Sequence, residues 1–281
     1  MNTDSNQTNN VAYISVEDAY KELSTARFID IRNPDAYKVS HIPNAYILNE
    51  LFTHLTMSDK ESIDTLKKSF EEHLRNMGIN GDEHIITYEN SLNTRFGASC
   101  RGYYILSLLG LKVSVLNGGF DAWVKAGYPV NDEIPHHERG TFVAGWNESI
   151  WVDKHDVLKN LETNEYVLLD VRDEDEWTAE SSSPYGKDFA PRKGHIPGAV
   201  HINWRDFMDE KDGLVYFKSA DDVKSLCNKA GVTGKDIIVY CFKGSRASNS
   251  LIALNTAGFN VKNYFGSWNE WSRDYDLAID I

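Results

Sequence analysis

The chain has 281 residues, enough for two domains of ordinary size, with 41% hydrophobic and 25% charged residues. A net charge of −13 argues against general nucleic-acid binding, whose usual footprint is a basic face, while leaving room for a local basic pocket. No apolar run approaches the roughly 20 residues that span a bilayer, and three cysteines are too few and too scattered for a disulfide framework, so a cytoplasmic, reducing setting is expected.

Residues 1–10 are polar and lack a basic or apolar region, so they read as a disordered tail and not as a secretion signal. A first unit, 11–130, then carries four marks: Phe28-Ile29-Asp30-Ile31-Arg32, His41-Ile42-Pro43-Asn44-Ala45, Ile85-Ile86-Thr87-Tyr88 and Asn117-Gly118-Gly119-Phe120. Between 131 and 148, Pro135, His136, His137, Gly140 and Gly145 interrupt any regular pattern, as a linker would. A second unit, 149–281, repeats the marks in order. They are Leu168-Leu169-Asp170-Val171-Arg172, His195-Ile196-Pro197-Gly198-Ala199, Ile237-Ile238-Val239-Tyr240 and Phe265-Gly266-Ser267-Trp268. Helices and strands alternate in each unit. That pattern predicts an α/β fold of two domains, each a mostly parallel sheet covered by helices on both faces. The period is too long for a solenoid, so these are duplicated domains.

The copies differ most after their third strand. In the second unit an apolar, β-branched run ends in Cys241, and a helix is expected over 247–255. A thiol is thereby placed at the carboxyl edge of a parallel sheet, where ligands bind. The loop amides and the positive end of the helix make an anion-binding nest there, with Lys243 and Arg246 alongside. Favouring a thiolate over a thiol a hundredfold asks for about 2.7 kcal/mol, within reach of such a nest. In the first unit Glu89 stands opposite Cys241, and the segment 90–96 is longer than its counterpart. A carboxylate cannot do a thiolate's soft nucleophilic work. The first unit is therefore expected to be catalytically silent and to wall the second unit's pocket. Cys100, opposite Ser248, and Cys227, on an expected helix over 221–230, read as core filler. The irregular insertion 181–194 brings Arg192 and Lys193 either over the pocket or into a solvated turn.

Together, duplicated and in order around Cys241, these motifs resemble the tandem-domain rhodanese-like sulfurtransferases, the group that includes thiosulfate and 3-mercaptopyruvate sulfurtransferases. The resemblance covers nearly everything from about 11 to 275. It implies catalysis confined to the C-terminal domain, with Cys241 as nucleophile. Phe242, Lys243, Gly244, Ser245, Arg246 and Ala247 would form the persulfide-binding loop, its amides aimed at the sulfur. Lys243 falls where thiosulfate-using relatives carry a cation facing the substrate. Ser267 matches a serine whose hydroxyl donates to the cysteine sulfur, with Trp268 beside it as a pocket wall; as a compatible alternative, Ser267 caps the last helix and Trp268 is core. One departure stands out. Where related enzymes hold the donor with an arginine, this chain has acid at 173–176, so Arg192, Lys193 or Arg246 would have to take that role.

The implied reaction is ping-pong transfer of a sulfane sulfur from an anionic donor, thiosulfate before 3-mercaptopyruvate, through a Cys241 persulfide. The acceptor is a cellular thiol, cyanide or a sulfur-carrier protein. No metal or organic cofactor is required: the nine histidines form no spaced metal set. Two rivals remain. Cysteine phosphatases place five residues between Cys and Arg where Cys241 and Arg246 have four. A non-enzymatic sulfur-binding or regulatory scaffold is the other. The repeat supplies an internal pseudo-dimer, so a monomer is expected, with no nucleic-acid or membrane partner.

Overall fold

A computed structural model describes residues 12–52, 57–232, 234 and 236–281. The tail expected over 1–10 lies outside them. The first module builds a parallel sheet from β1 (Tyr13–Ile14), β2 (Arg27–Asp30), β3 (Tyr46–Ile47), β4 (His84–Tyr88) and β5 (Lys112–Leu116), in the order β1-β5-β4-β2-β3. The second contains β6 (Trp151–Val152), β7 (Tyr166–Asp170), β8 (Val200–His201), β9 (Met208–Lys211), β10 (Leu214–Phe217), β11 (Asp236–Tyr240) and β12 (Val261–Tyr264). Its sheet repeats the first in the order β6-β12-β11-β7-β8. Every pair within these two sheets is parallel. The fold is α/β, twice over. The central strands β4 and β11 are buried over their last four residues, as strands covered on both faces must be.

The repeated motifs fasten the strand ends in both modules. Arg32 clasps Asp30 through Nε at 3.0 Å, and Arg172 clasps Asp170 through Nε at 2.9–3.0 Å. Their guanidinium groups also reach the carbonyls of Ser40 and Gly194 at 2.7 and 2.8 Å. The Tyr88 hydroxyl accepts from the Ile42 amide at 3.2 Å, and Tyr240 does the same for Ile196 at 3.1 Å. The linker region 131–148 holds an isolated bridge from Asn131 to His41 at its start and a 3-10 turn at its end, and it is not free. Amides of Gly140, Phe142, Gly145 and Asn147 donate to carbonyls of Arg75, Ile79, Leu109 and Leu108, and Phe142 is buried.

The modules share one core. Apolar side chains of the helices Gly97–Leu108 and Ser245–Thr256, including Ile105, Leu108, Leu251 and Leu254, belong to a single buried cluster. The hairpin β9–β10, which the periodicity does not announce, adds a second link. Its turn residues Asp212 and Gly213 have φ of +54° and +74°, a pairing that matches strand twist. From there β10 reaches across to the first module. The Val215 amide donates to Ser91 Oγ at 3.3 Å and that of Phe217 to Asn117 Oδ1 at 3.1 Å, while the Phe217 ring stacks on Tyr13 and Phe96. Among the described residues, no helix is long and apolar enough to cross a membrane.

Candidate active site

Strand β11 delivers Cys241 to the carboxyl edge of the second sheet, where it is 1% exposed. The chain then turns through 242–244 into the helix Ser245–Thr256, two residues longer at its start than the expected 247–255. The turn depends on Gly244. Its φ is +91°, and a Cβ there would sit 2.4 Å from the Phe265 ring, so no other residue fits without displacing that ring. In this conformation the Gly244 amide donates to Cys241 Sγ at 3.1 Å. Amides of the helix's first turn, at Ser245, Arg246 and Ala247, have no acceptor within the helix and face the same end. Ser245 Oγ is buried and has no hydrogen-bond partner, which leaves one more polar group available at this loop.

The last helix, Ser267–Trp271, fixes the loop from behind. Its first amides, of Trp268 and Asn269, donate to the carbonyls of Cys241 and Phe242 at 3.0 and 2.9 Å. Ser267 is placed differently from the expectation. Its hydroxyl donates to the Tyr264 carbonyl at 2.7 Å and accepts from the Cys241 amide at 3.3 Å, so it holds the cysteine backbone and its proton is not aimed at the sulfur. Gly266, not Ser267, is the cap residue. Trp268 is fully buried against the Arg172 guanidinium, 4.6 Å from its ring centre, and is core.

Four cations were singled out in the sequence, and only Lys243 and Arg246 lie at the loop. Lys243 is half-buried, its Nζ 4.4 Å from the centre of the Tyr185 ring, which also packs on Phe242 at 5.2 Å. Burial lowers the Lys243 pKa, and the nearby Arg101 charge lowers it further, against the opposing pull of Cys241. The 181–194 insertion therefore does overhang the loop, but through Tyr185. Arg192 instead donates to the carbonyls of Trp271, Ser272, Asp274 and Leu277, capping the C-terminus of the last helix. Lys193 donates to the Glu180 carbonyl at 2.7 Å within its own loop. Neither is brought to the cysteine.

Arg246 explains the acidic segment. Its guanidinium is bound to both carboxylate oxygens of Glu176 and to Asp173 at 3.0 Å. Burial opposes its charge, but Glu176, then Cys241 and Asp173, outweigh that and raise its pKa. Two of the four acids at 173–176, Asp173 and Glu176, thus partner a loop arginine and do not stand bare before a donor. Sequence reasoning missed a further cation. Arg101, on the first module's helix Gly97–Leu108, is fully buried and donates through Nη1 to the Lys243 carbonyl and through Nε to that of Leu51 at 2.9 Å. A signal was present: it is the only charge between Arg95 and Lys112.

The remaining thiols are inert by position. Burial pushes Cys227 up to about 11, and Cys100, fully buried, is raised well above the ordinary range by burial and then by Glu89. Opposite Cys241, the Glu89 carboxylate accepts from the amides of Ala98 and Ser99 at 3.0 and 2.9 Å, from Ser99 Oγ at 2.9 Å and from Thr94 Oγ1 at 2.6 Å.

A thiol under helix amides, in a doubled parallel-sheet module, is a distinctive assembly, and sequence comparison agrees. The Rhodanese-like domain family matches at 15–126 and again at 153–274. The chain belongs to this family, with two copies of its domain. A putative thiosulfate sulfurtransferase of Haloferax volcanii is 36% identical over 244 residues, 84% of this chain and 82% of the relative. The sulfur carrier protein TtuD of Thermus thermophilus is 31% identical over 253 residues, 86% of each. Among solved structures, the Escherichia coli 3-mercaptopyruvate sulfotransferase SseA superposes with a TM-score of 0.73 at 27% identity, covering 92% of this chain and 99% of that one. In this rhodanese pair only the second domain offers a sulfur at the strand end.

Proposed function

We propose that the protein is a sulfurtransferase that carries a sulfane sulfur on Cys241, with thiosulfate as the preferred donor. The observation that carries this reading is the Gly244 amide on Cys241 Sγ at 3.1 Å, with the open first turn of a helix behind it. Thiolate Cys241 attacks the outer sulfur of thiosulfate. The donor's S–S bond breaks and its electron pair leaves with sulfite, giving the Cys241 persulfide. The loop amides hold the terminal sulfur, with Ser245 Oγ as a further donor. An acceptor thiolate or cyanide then attacks that sulfur and returns Cys241 as thiolate. Splitting one transfer into two displacements is what a covalent intermediate provides.

Lys243 is the loop cation best placed to meet an anionic donor, since Arg246 is already bound by carboxylates. Relatives named for thiosulfate and for 3-mercaptopyruvate both exist, so donor choice rests on this lysine. Three free thiols suit a reducing cytosol, and the likeness to a sulfur carrier suits a thiol or carrier-protein acceptor.

The experiment is thiosulfate:cyanide turnover in wild type and Cys241→Ser, where a loss on the order of 10⁴-fold is expected. Activity in the serine variant would sink the reading. Persulfide on Cys241 without turnover would indicate a scaffold, and aryl-phosphate hydrolysis a phosphatase. With Lys243→Ala, the thiosulfate KM rises about tenfold, equivalent to about 1.4 kcal/mol, and the mercaptopyruvate KM much less. Equal effects on both donors would overturn the thiosulfate assignment.

A further inference from the structure

The carbonyl that Arg101 grips and the amide that faces the sulfur belong to one peptide unit. Lys243 O accepts from Arg101 Nη1, while the next atom in the chain, Gly244 N, donates to Cys241 Sγ at 3.1 Å. In a trans peptide the C=O and N–H point in opposite directions within one plane, so holding the oxygen also fixes where the N–H points. We infer that Arg101, supplied by the module without a nucleophile, is a positioning residue that orients and polarises the 243–244 peptide so that its amide stays on the reacting sulfur.

The surroundings are built for this. Arg101 is fully buried, its Nε is tied to the Leu51 carbonyl at 2.9 Å, and its guanidinium lies over the Phe265 ring, 4.7 Å from the centre. That same ring is what a Cβ at Gly244 would strike. Arginine, aromatic ring and glycine turn thus form one packed stack, with little freedom for the peptide to rotate. A charged donor on the carbonyl makes a stronger bond than a neutral one and draws electrons away from the amide, which sharpens the N–H as a donor. Burial lowers the Arg101 pKa to about 10, with Cys241 opposing the drop, so the guanidinium stays charged at neutral pH. The first module therefore contributes to the chemistry through the loop backbone, without touching the sulfur.

The inference rests on the sulfur-carrying role of Cys241, and its test separates the two. In Arg101→Met, alkylation of Cys241 by iodoacetamide, read per folded molecule by peptide mass, is expected to slow about tenfold. The kcat for thiosulfate:cyanide transfer falls in parallel while KM moves less than about twofold. Arg101→Lys, which keeps the charge, recovers alkylation to within about threefold of wild type. Unchanged alkylation in Arg101→Met, together with a lower thermal midpoint, would make Arg101 mere glue between modules and overturn the inference. A rise in KM alone would also overturn it, by making Arg101 a donor-binding cation. Should Arg101→Met fail to fold, Arg101→Gln against Arg101→Lys decides: the neutral variant must be the slower, and equal rates refute the claim. A wild type with no turnover would remove the sulfurtransferase reading, yet the alkylation comparison would still judge Arg101.

Discussion

The ends of β4 and β11 are the same scaffold filled in two ways. At both, the carbonyl of the residue just past the strand is fixed by a helix amide: Phe120 N donates to Glu89 O at 2.9 Å, and Trp268 N to Cys241 O at 3.0 Å. At both, the helix Gly97–Leu108 or Ser245–Thr256 points its open first turn at the residue that follows the strand. In the first module the longer segment 90–96 brings the start of Gly97–Leu108 onto Glu89, so the chain's own carboxylate occupies the nest. In the second, the short 242–244 turn leaves the amides over a sulfur atom. The hairpin β9–β10 then covers the first module's site, its Val215 and Phe217 amides bound to Ser91 and Asn117. The first module's helix amides are thus taken up by a carboxyl group of its own chain, where the second module's loop faces a sulfur atom.

The largest break in this symmetry should come from the Arg246–Glu176 pair. The first module has Ala36 and Ala98 at the aligned positions, so this pair has no counterpart there, and its loop is tied instead by Arg95 to Glu210 at 3.6 Å. Glu176 is 2% exposed at its side chain and Arg246 11%, and removing the Glu176 charge leaves Arg246, away from water, with Asp173 as its one carboxylate. Glu176→Gln is expected to lower unfolding stability by about 3 kcal/mol, measured by urea denaturation, and to reduce turnover by loosening the loop. Replacing both residues by apolar ones of similar volume should restore most of the stability without restoring activity. A loss under about 1 kcal/mol in the single variant would show that the two loops are equally self-supporting.

How much of this was readable from sequence follows from the range of each interaction. The duplicated motifs work locally: Asp30 with Arg32 and Asp170 with Arg172 bond two residues apart, so their spacing survives as a signature. The strand ending in Cys241 and the helix after it were legible for the same reason. The two-residue edge strands carry too little periodicity to read, and β9, with Asp209, Glu210 and Lys211, lacks alternation, though Asp212-Gly213 marks its turn. Long-range pairings were opaque. The acid at 173–176 looked like repulsion of a donor because its partner lies about 70 residues on, at Arg246. Arg101, across the module boundary from Lys243, could be noticed only as a lone charge in an apolar helix.

Glu89 sharpens the comparison at a smaller magnitude. Burial raises its pKa, against hydrogen bonds from Thr94, Ser99 and Ala98. The folded protein then binds that proton more tightly than the unfolded chain does. Its contribution to stability is therefore fully present below the ordinary carboxylate value of 4.5 and is lost as pH rises through the raised one. Glu89→Gln should remove this fall while keeping stability at pH 5 within about 1 kcal/mol, because Thr94 Oγ1 can turn its proton to the Asn90 carbonyl and accept from the new amide. Glu89→Ala, which leaves the amides of Ala98 and Ser99 without their acceptor, should cost about 2 kcal/mol. Denaturation followed from pH 4 to 8 checks both. A Gln variant with an unaltered pH slope would mean that burial does not shift the titration of Glu89.

The smallest effect concerns what only the second module has, the 181–194 loop. Tyr185 is 51% exposed, yet its ring lies 4.4 Å from Lys243 Nζ and packs on Phe242. A cation over an aromatic face at such a site contributes about 0.5–1 kcal/mol, so Tyr185→Leu should change the thiosulfate KM about two- to fivefold, with Tyr185→Phe close to wild type. The direction separates two roles for the ring. If it holds Lys243 ready for the donor, KM rises when the ring is lost, since the lysine must then be ordered during binding. If the ring competes with the donor for the ammonium group, KM falls. The ring carries no formal charge to rival a dianion for the ammonium group, so the rise is the expected result.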